Sequence, residues 1–102
     1  MRGWRARDGG SDPALRDGDA EVKRMFVHAA HRGRGHARAV LAELERTAAA
    51  AGRRRAVLET GTRQPEAMAL YTSAGYRPTA GFGVYRESPN SRCYAKILAR
   101  YG

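Results

Sequence analysis

A glycine-rich loop directly before a long amphipathic helix constrains this chain more than any other feature. The loop consists of Arg32, Gly33, Arg34, Gly35, His36 and Ala37. Its two glycines permit backbone torsions and a close ligand approach that a Cβ atom would prevent. Apolar residues then recur at helical spacing and predict a helix over 35–51. The first turn of such a helix has unpartnered amide N–H groups and a positive dipole end. Because the two arginines add charge-assisted donors, the segment is typical of a pyrophosphate site.

The composition fits one small folded domain with anionic partners. Of its 102 residues, 42% are apolar, which is enough for a packed core. The 19 basic residues outnumber the 10 acidic ones, and the net charge of +9 favours nucleic acid or a phosphate-bearing cofactor as partner. Cys93 is the single cysteine, so we expect neither a disulfide framework nor a cysteine zinc site, and no other metal site is evident. No apolar run reaches membrane-spanning length, and we expect a cytoplasmic protein.

The order of secondary structure predicts a mixed sheet with helices packed on it. Residues 1–13 are rich in Gly, Arg and Asp without periodicity and predict a disordered leader before a domain over 14–102. Asp17-Gly18 is a strong tight-turn signal and predicts a β-hairpin between residues 14–16 and 20–27. The remaining predicted elements are, in order, a strand over 56–60, a helix from Pro65 that ends at Gly75, a strand over 76–78, a loop over 79–90 and a strand over 91–98. The fold class is therefore α/β (α+β), with the order β-β-α-β-α-β-β.

Three phosphate-binding patterns compete for the glycine-rich loop. A P-loop needs a lysine after its last glycine, and the loop has none. The dinucleotide fingerprint needs a small residue where Arg38 stands. The third pattern, Gln/Arg-x-x-Gly-x-Gly/Ala, is matched in full by Arg32, Gly35 and Ala37. It is the acetyl-CoA motif of GNAT (Gcn5-related) N-acetyltransferases, which the loop resembles.

The resemblance to the GNAT family extends over about 14–98. Lys23 to Val27 resembles the fourth strand of the family, and Leu58 to Gly61 resembles the fifth, which diverges from the fourth to open the cofactor slot. Residues 64–76 resemble the next helix and its exit. The resemblance implies a mixed, mostly antiparallel sheet that lacks the N-terminal strand and helices of the full fold. We therefore expect a truncated, partial acetyl-CoA-binding domain, with an exposed sheet edge that favours a homodimer.

The resemblance also implies roles for individual residues, with acetyl-CoA as the cosubstrate. The loop Arg32–Ala37 would hold the pyrophosphate, and the backbone at Met25, Phe26 and Val27 would contact the pantetheine arm. Tyr71 would protonate the departing CoA thiolate, although its position also suits a plain core aromatic. Glu21 would be the general base for the amine, although a glutamate at a strand edge is more often a paired or solvated charge.

Three functions remain open from the sequence. The first is an N-acetyltransferase in which a primary amine attacks the thioester of acetyl-CoA directly. The second is a catalytically inactive remnant that binds CoA. The third is a small basic nucleic-acid-binding domain, motivated by the net charge and the Arg-Gly-Arg-Gly tract. The basic excess is almost all arginine, so we discount it as evidence for nucleic acid and do not expect nucleic acid as a partner.

Overall fold

The computed structural model describes residues 3–31, 36–62, 65–83 and 88–98. Eight elements follow one another along these ranges. They are β1 (Trp4–Arg7), β2 (Asp19–Val22), α1 (Arg24–His31), α2 (His36–Ala50), β3 (Arg55–Gly61), α3 (Pro65–Ser73), β4 (Arg77–Thr79) and β5 (Ser91–Ile97). In this part of the chain no helix combines the length and apolar character needed to cross a membrane.

The described strands form one mixed sheet in the order β1-β2-β3-β5-β4. Only β2 and β3 pair in parallel, and the other three neighbouring pairs are antiparallel. The predicted fold class is therefore confirmed. β1 and β4 lie at the edges of this sheet, and the pairing of two copies along such an edge stays a prediction.

The two long helices end as the sequence predicts, each at a glycine with positive φ. Gly52 has a φ of 84° and Gly75 a φ of 97°, torsions that disfavour residues with a Cβ atom. After α3, the Tyr76 N–H donates to the Tyr71 carbonyl at 2.9 Å. The rings of these two tyrosines contact each other edge to face, with centroids 5.9 Å apart. This is a Schellman motif with its apolar contact, and it fixes the end of α3 against the core.

Two apolar clusters lie on opposite faces of the sheet. The larger cluster contains side chains from β1, β2, β3, β5 and all three helices; its largest members include Trp4, Leu41, Leu58, Tyr71, Tyr76 and Tyr94. The smaller cluster joins Val57 and Cys93 of the sheet to Leu15 and Phe82 from the loops. Successive strand residues point to opposite faces, so Leu58 faces the helices, whereas Val57 and Glu59 face the loops.

The disordered leader predicted over 1–13 is wrong for the described residues. Trp4 to Arg7 form β1, which pairs with β2 in antiparallel register. The Trp4 side chain is buried, and its indole Nε1–H donates to Thr47 Oγ1 of α2 at 3.0 Å. These partners are distant in sequence, and local composition therefore gives no sign of them.

The predicted hairpin is right about the turn and wrong about the strands. Gly18 has a positive φ of 91°, and β2 begins at the next residue. However, the antiparallel partner of β2 is β1 rather than 14–16. The strand predicted to Val27 ends at Val22, because the Phe26 N–H donates to the Lys23 carbonyl and opens α1. The glycine-rich loop therefore does not follow β2 directly, since α1 lies between them in the chain.

Candidate active site

The parallel strands β2 and β3 separate partway along β3. Their paired register ends at Glu21 and Val57. β2 stops at Val22, whereas β3 continues to Gly61 and keeps its pairing with β5. In the described part of the chain, no strand covers the other backbone edge of residues 58–61. The sheet is therefore open at this point, as the resemblance to the GNAT family implies, and we call this opening the slot.

Two buried hydroxyl groups lie on the helix side next to the slot. Tyr71 of α3 is fully buried among the helix-facing core residues, and Thr60 of β3 is equally buried. Neither Tyr71 Oη nor Thr60 Oγ1 has a hydrogen-bond partner among the described residues. An unpaired buried hydroxyl is costly in a core. Their position is suited to a polar ligand that enters the slot.

The proton of Tyr71 is held firmly in this environment. Burial raises the pKa of Tyr71 above its ordinary value, the positive charge of Arg24 opposes this shift, and the negative charge of Glu59 adds to it. The hydroxyl is therefore protonated at neutral pH. Since both charges act on it, Tyr71 lies close enough to Arg24 and Glu59 to share one electrostatic environment with them.

A buried glutamate lies on the opposite side of the slot. Glu59 of β3 is 7% exposed and lies directly opposite Cys93 of β5. Its Oε1 forms an ion pair with Nη1 of Arg24, the first residue of α1, at 3.0 Å. Burial raises the pKa of the Cys93 thiol; the backbone hydrogen bond with Phe82 opposes this, and the charges of Glu59 and Glu21 reinforce it.

Sequence reasoning missed the pair of Arg24 and Glu59. A signal for Glu59 was present, because it is the one charged residue in the apolar run Ala56 to Thr60. A charge within a fully buried strand needs a partner. The partner could not be inferred, since Arg24 was assigned to a strand rather than to the start of a helix.

The predicted base, Glu21, has a different setting. It lies in β2, where its carboxylate pairs with the Arg7 guanidinium at 2.8 Å. Both side chains are part-exposed, and Glu21 belongs to the paired stretch of β2 and β3. This geometry fits the alternative that the sequence left open, in which Glu21 is a paired charge at the surface. Its role as a base stays a prediction.

The predicted pyrophosphate loop is described only at its end. Arg32 to Gly35 lie outside the described residues. His36 is the first residue of α2 and is exposed, and Ala37 is buried in the larger core cluster. The helix predicted after the loop is confirmed over His36–Ala50. First-turn amides of a helix lack partners within the helix, so binding of a pyrophosphate at this end of α2 stays a prediction.

The residues predicted to contact pantetheine are helical rather than extended. Met25, Phe26 and Val27 form the first turn of α1. Met25 is exposed, Phe26 is half-buried and Val27 packs in the core. A helix cannot offer the edge of an extended strand, and only first-turn amides of α1 lack a partner within the helix. Strand-like pairing of this segment with a ligand is thus excluded.

Within the described ranges, no group of three or more metal-ligating side chains occurs.

Comparison with known proteins decides the family. The sequence profile of the Acetyltransferase (GNAT) domain matches residues 4–78. The chain belongs to the GNAT acetyltransferase family. The match includes Trp4, so it extends further towards the N-terminus than the resemblance seen in the sequence, and it agrees with the place of β1 in the sheet.

Two relatives are 42% and 38% identical to the chain over the residues that align. The "IAA acetyltransferase" of Azospirillum brasilense is 42% identical over 81 residues, which is 79% of this chain and 53% of the relative. The human "N-acetyltransferase 8" is 38% identical over 68 residues, covering 67% of this chain and 30% of the relative. The chain thus spans about half of the first relative and less of the second.

A solved structure has a similar fold. It is assigned as an acyl-CoA N-acyltransferase from Klebsiella pneumoniae subsp. pneumoniae MGH 78578. The two structures superpose with a TM-score of 0.66 and 32% sequence identity, and the match covers 80% of this chain and 57% of that one.

Proposed function

We propose that this GNAT chain binds acetyl-CoA and transfers its acetyl group to a primary amine. The slot between β2 and β3 would receive the thioester. The loop Arg32–Ala37 and the first turn of α2 would hold the pyrophosphate, and the first turn of α1, with Met25, Phe26 and Val27, would border the pantetheine arm. Family membership and the acetyltransferase names of the relatives support this proposal.

The buried hydroxyl of Tyr71 is the observation that carries the proposal. It is fully buried, has no hydrogen-bond partner among the described residues and lies next to the slot. A leaving thiolate needs a proton, and a positioned side chain that donates one contributes about 10²- to 10⁴-fold to a rate. Because its raised pKa keeps the Tyr71 hydroxyl protonated at neutral pH, Tyr71 would have that proton to donate.

The energetics of this proton transfer are acceptable. With ordinary pKa values of about 10 for tyrosine and 8.5 for a thiol, the transfer is uphill by roughly 2 kcal/mol. Burial raises the pKa of Tyr71 and increases this cost, whereas the positive charge of Arg24 reduces it. Arg24 would also stabilise the tyrosinate while it waits for its next proton.

Donor binding and thiol release test the proposal separately. Calorimetric titration with acetyl-CoA should show saturable binding, which CoA competes away. Release of free thiol in the presence of a panel of primary amines should then show turnover. Tyr71→Phe should lower kcat by about 100-fold and leave acetyl-CoA binding unchanged.

A matched control comes from the same aromatic cluster. Tyr94 lies with its ring centroid 6.3 Å from that of Tyr71, and Tyr94→Phe should retain wild-type kcat. Absence of saturable binding by folded protein would contradict the donor assignment. Binding without thiol release would instead identify the chain as an inactive CoA-binding protein, and a Tyr71→Phe variant with full kcat would rule out Tyr71 as the acid.

A further inference from the structure

Glu59 combines deep burial with a position beside an open part of the sheet. It belongs to residues 58–61, where β3 has no strand on its β2 side in the described part of the chain. Its side chain shares a face with Cys93, because directly opposed residues of an antiparallel pair point the same way. Cys93 belongs to the loop-side cluster, so Glu59 approaches the slot from the face opposite to the helices.

Glu59 is paired with a cation that comes from the surface. In the described residues, the Arg24 guanidinium lies 3.0 Å from Glu59 Oε1. The Arg24 side chain is 44% exposed, whereas that of Glu59 is 6% exposed. The guanidinium therefore connects bulk solvent to a buried carboxylate. Another cation of suitable shape can take its place at small cost, because the buried carboxylate stays paired throughout and the half-exposed guanidinium returns to water.

Tyr71 and Glu59 approach the slot from opposite sides. Tyr71 belongs to the same helix-side cluster as Leu58, and Glu59 follows Leu58 in β3 and faces the loops. Both charges of the Arg24–Glu59 pair act on the Tyr71 hydroxyl. A thioester between them would have a proton donor on one side and a carboxylate on the other. This arrangement suits direct attack by an amine, since the nitrogen loses protons while the leaving sulfur gains one.

The alternative carboxylate, Glu21, is less suited to this task. Its side chain is 23% exposed and its Arg7 partner 30% exposed, so water already solvates the pair. It also lies where β2 and β3 are still paired. Charged interactions are weaker in such a setting than at a buried site.

We propose that Glu59 binds the ammonium group of the acceptor and accepts its proton, and that the Arg24 guanidinium occupies the ammonium position until the acceptor displaces it. This inference rests on the proposed function and specifies its substrate class: an acceptor that enters as a cation. Glu59 is then a catalytic residue, and Arg24 is a positioning residue that keeps the buried carboxylate paired between turnovers.

The proton and bond changes balance in this arrangement. Glu59 takes one proton from the ammonium group and later passes it to solvent. The neutral nitrogen forms a C–N bond to the thioester carbonyl carbon, and the C–S bond breaks. Tyr71 donates its proton to the departing sulfur, and the second proton lost by the nitrogen returns to the tyrosinate. The products are an amide, a free thiol and one proton released to solvent.

Two acceptors of different charge distinguish this role from a structural one. Butylamine is a cation at neutral pH, whereas aniline is neutral there. Glu59→Gln should lower kcat/KM for butylamine by about 100-fold and for aniline by only a few-fold, with acetyl-CoA binding retained. Damage to the fold would instead reduce kcat/KM equally for both acceptors. The control variant is Glu43→Gln, at an exposed site in α2 where Glu43 pairs with Arg46. It should leave kcat/KM unchanged for both acceptors.

Removal of the competing cation gives a second, opposite effect. Arg24→Gln should lower the KM for butylamine by about threefold, the scale of a part-exposed ion pair, because the acceptor no longer has to displace a guanidinium. The KM for aniline should not change. If Arg24 instead bound the acceptor, its loss would raise the KM for butylamine.

The outcomes separate the two proposals. Active wild-type protein with an equally active Glu59→Gln variant, or with equal losses for butylamine and aniline, would overturn the role of Glu59 and leave the proposed function intact. Wild-type protein that releases no thiol with either acceptor would overturn the proposed function, and the role of Glu59 would fall with it.

Discussion

At the residue scale, the part of the chain that the structure describes has two buried carboxylates, Asp19 and Glu59, whose surroundings differ in kind. Asp19 is completely enclosed: Arg55 donates to its two oxygens at 2.8 and 2.7 Å, and the Arg16 N–H donates at 2.8 Å. Arg55 is itself buried and also donates to the Ala14 carbonyl. Glu59 instead has a partner that reaches in from solvent. Full satisfaction indicates a structural charge, and an exchangeable partner indicates a functional one.

This difference predicts how the fold responds to loss of the Asp19 charge. Asp19→Asn should destabilise the protein by about 3–5 kcal/mol, because the amide leaves a buried guanidinium without its counter-charge. Urea unfolding followed by circular dichroism measures the change. Glu43→Gln removes an exposed charge from α2 and should not shift the unfolding midpoint. A midpoint for Asp19→Asn equal to that of the wild type would show that Arg55 finds another partner.

At the element scale, one large side chain links β1 to the helix layer, in addition to the pairing of β1 with β2. Trp4 is buried between the sheet and α2 and is the only tryptophan of the chain. Its fluorescence therefore reports on β1 alone, and we expect a blue-shifted emission that iodide quenches poorly. Trp4→Ala should destabilise the protein by about 3–5 kcal/mol. Trp4→Phe keeps most of the apolar contact and loses the donor to Thr47, so its cost should be about 1 kcal/mol.

Emission typical of a solvent-exposed indole in the native protein would contradict this place for β1. So would equal stability of the wild type and Trp4→Ala in urea, measured by circular dichroism. Either result would restore the view that the first residues form a loose leader.

The helices and strands also show which signals in a sequence are sufficient to predict an element. The helix α2 and its stop at Gly52 followed from periodicity and one glycine, since both signals are local. β3 and α3 were predicted for the same reason. β1 was missed because the burial of Trp4 depends on Thr47, far along the chain. α1 was missed because the apolar residues between Arg24 and His31 suit a strand as well as a helix, and packing on α2 decides between them.

The features of the candidate site also divide into those that the sequence predicted and those that depend on contacts between distant residues. The loop motif and Tyr71 were predicted because they occupy fixed positions in a family pattern. That pattern also predicted an opening beside residues 58–61, and the sheet is open there because β2 ends at Val22, not because a strand over Lys23–Val27 diverges; its use as a cofactor slot stays a prediction. Glu59 was missed because its importance depends on burial and on a partner from α1. Contacts between elements that were not yet assigned could not be inferred from spacing.

At the scale of the whole molecule, three buried acidic groups make stability sensitive to alkaline pH. Burial is the main reason that the pKa values of Tyr71, Tyr76 and Cys93 are raised, and the carboxylate of Glu45 raises that of Tyr76 further. In the unfolded chain these groups ionise at their ordinary values, about 8.5 for the thiol and about 10 for the tyrosines. Above those values the native state binds more protons than the unfolded state, so stability falls as pH rises.

The free energy of unfolding should therefore be constant near neutral pH and decline from about pH 8.5, with a steeper decline above about pH 10. Each group contributes a slope of up to about 1.4 kcal/mol per pH unit. Urea titrations across this range measure the slope. The double variant Tyr71→Phe, Tyr76→Phe should flatten the part above about pH 10, and Cys93→Ala the part that begins near 8.5. A double tyrosine variant with the wild-type slope would show that neither phenol keeps its proton when the fold excludes water, and the protonated Tyr71 on which the acetyl-transfer proposal depends would lose its support.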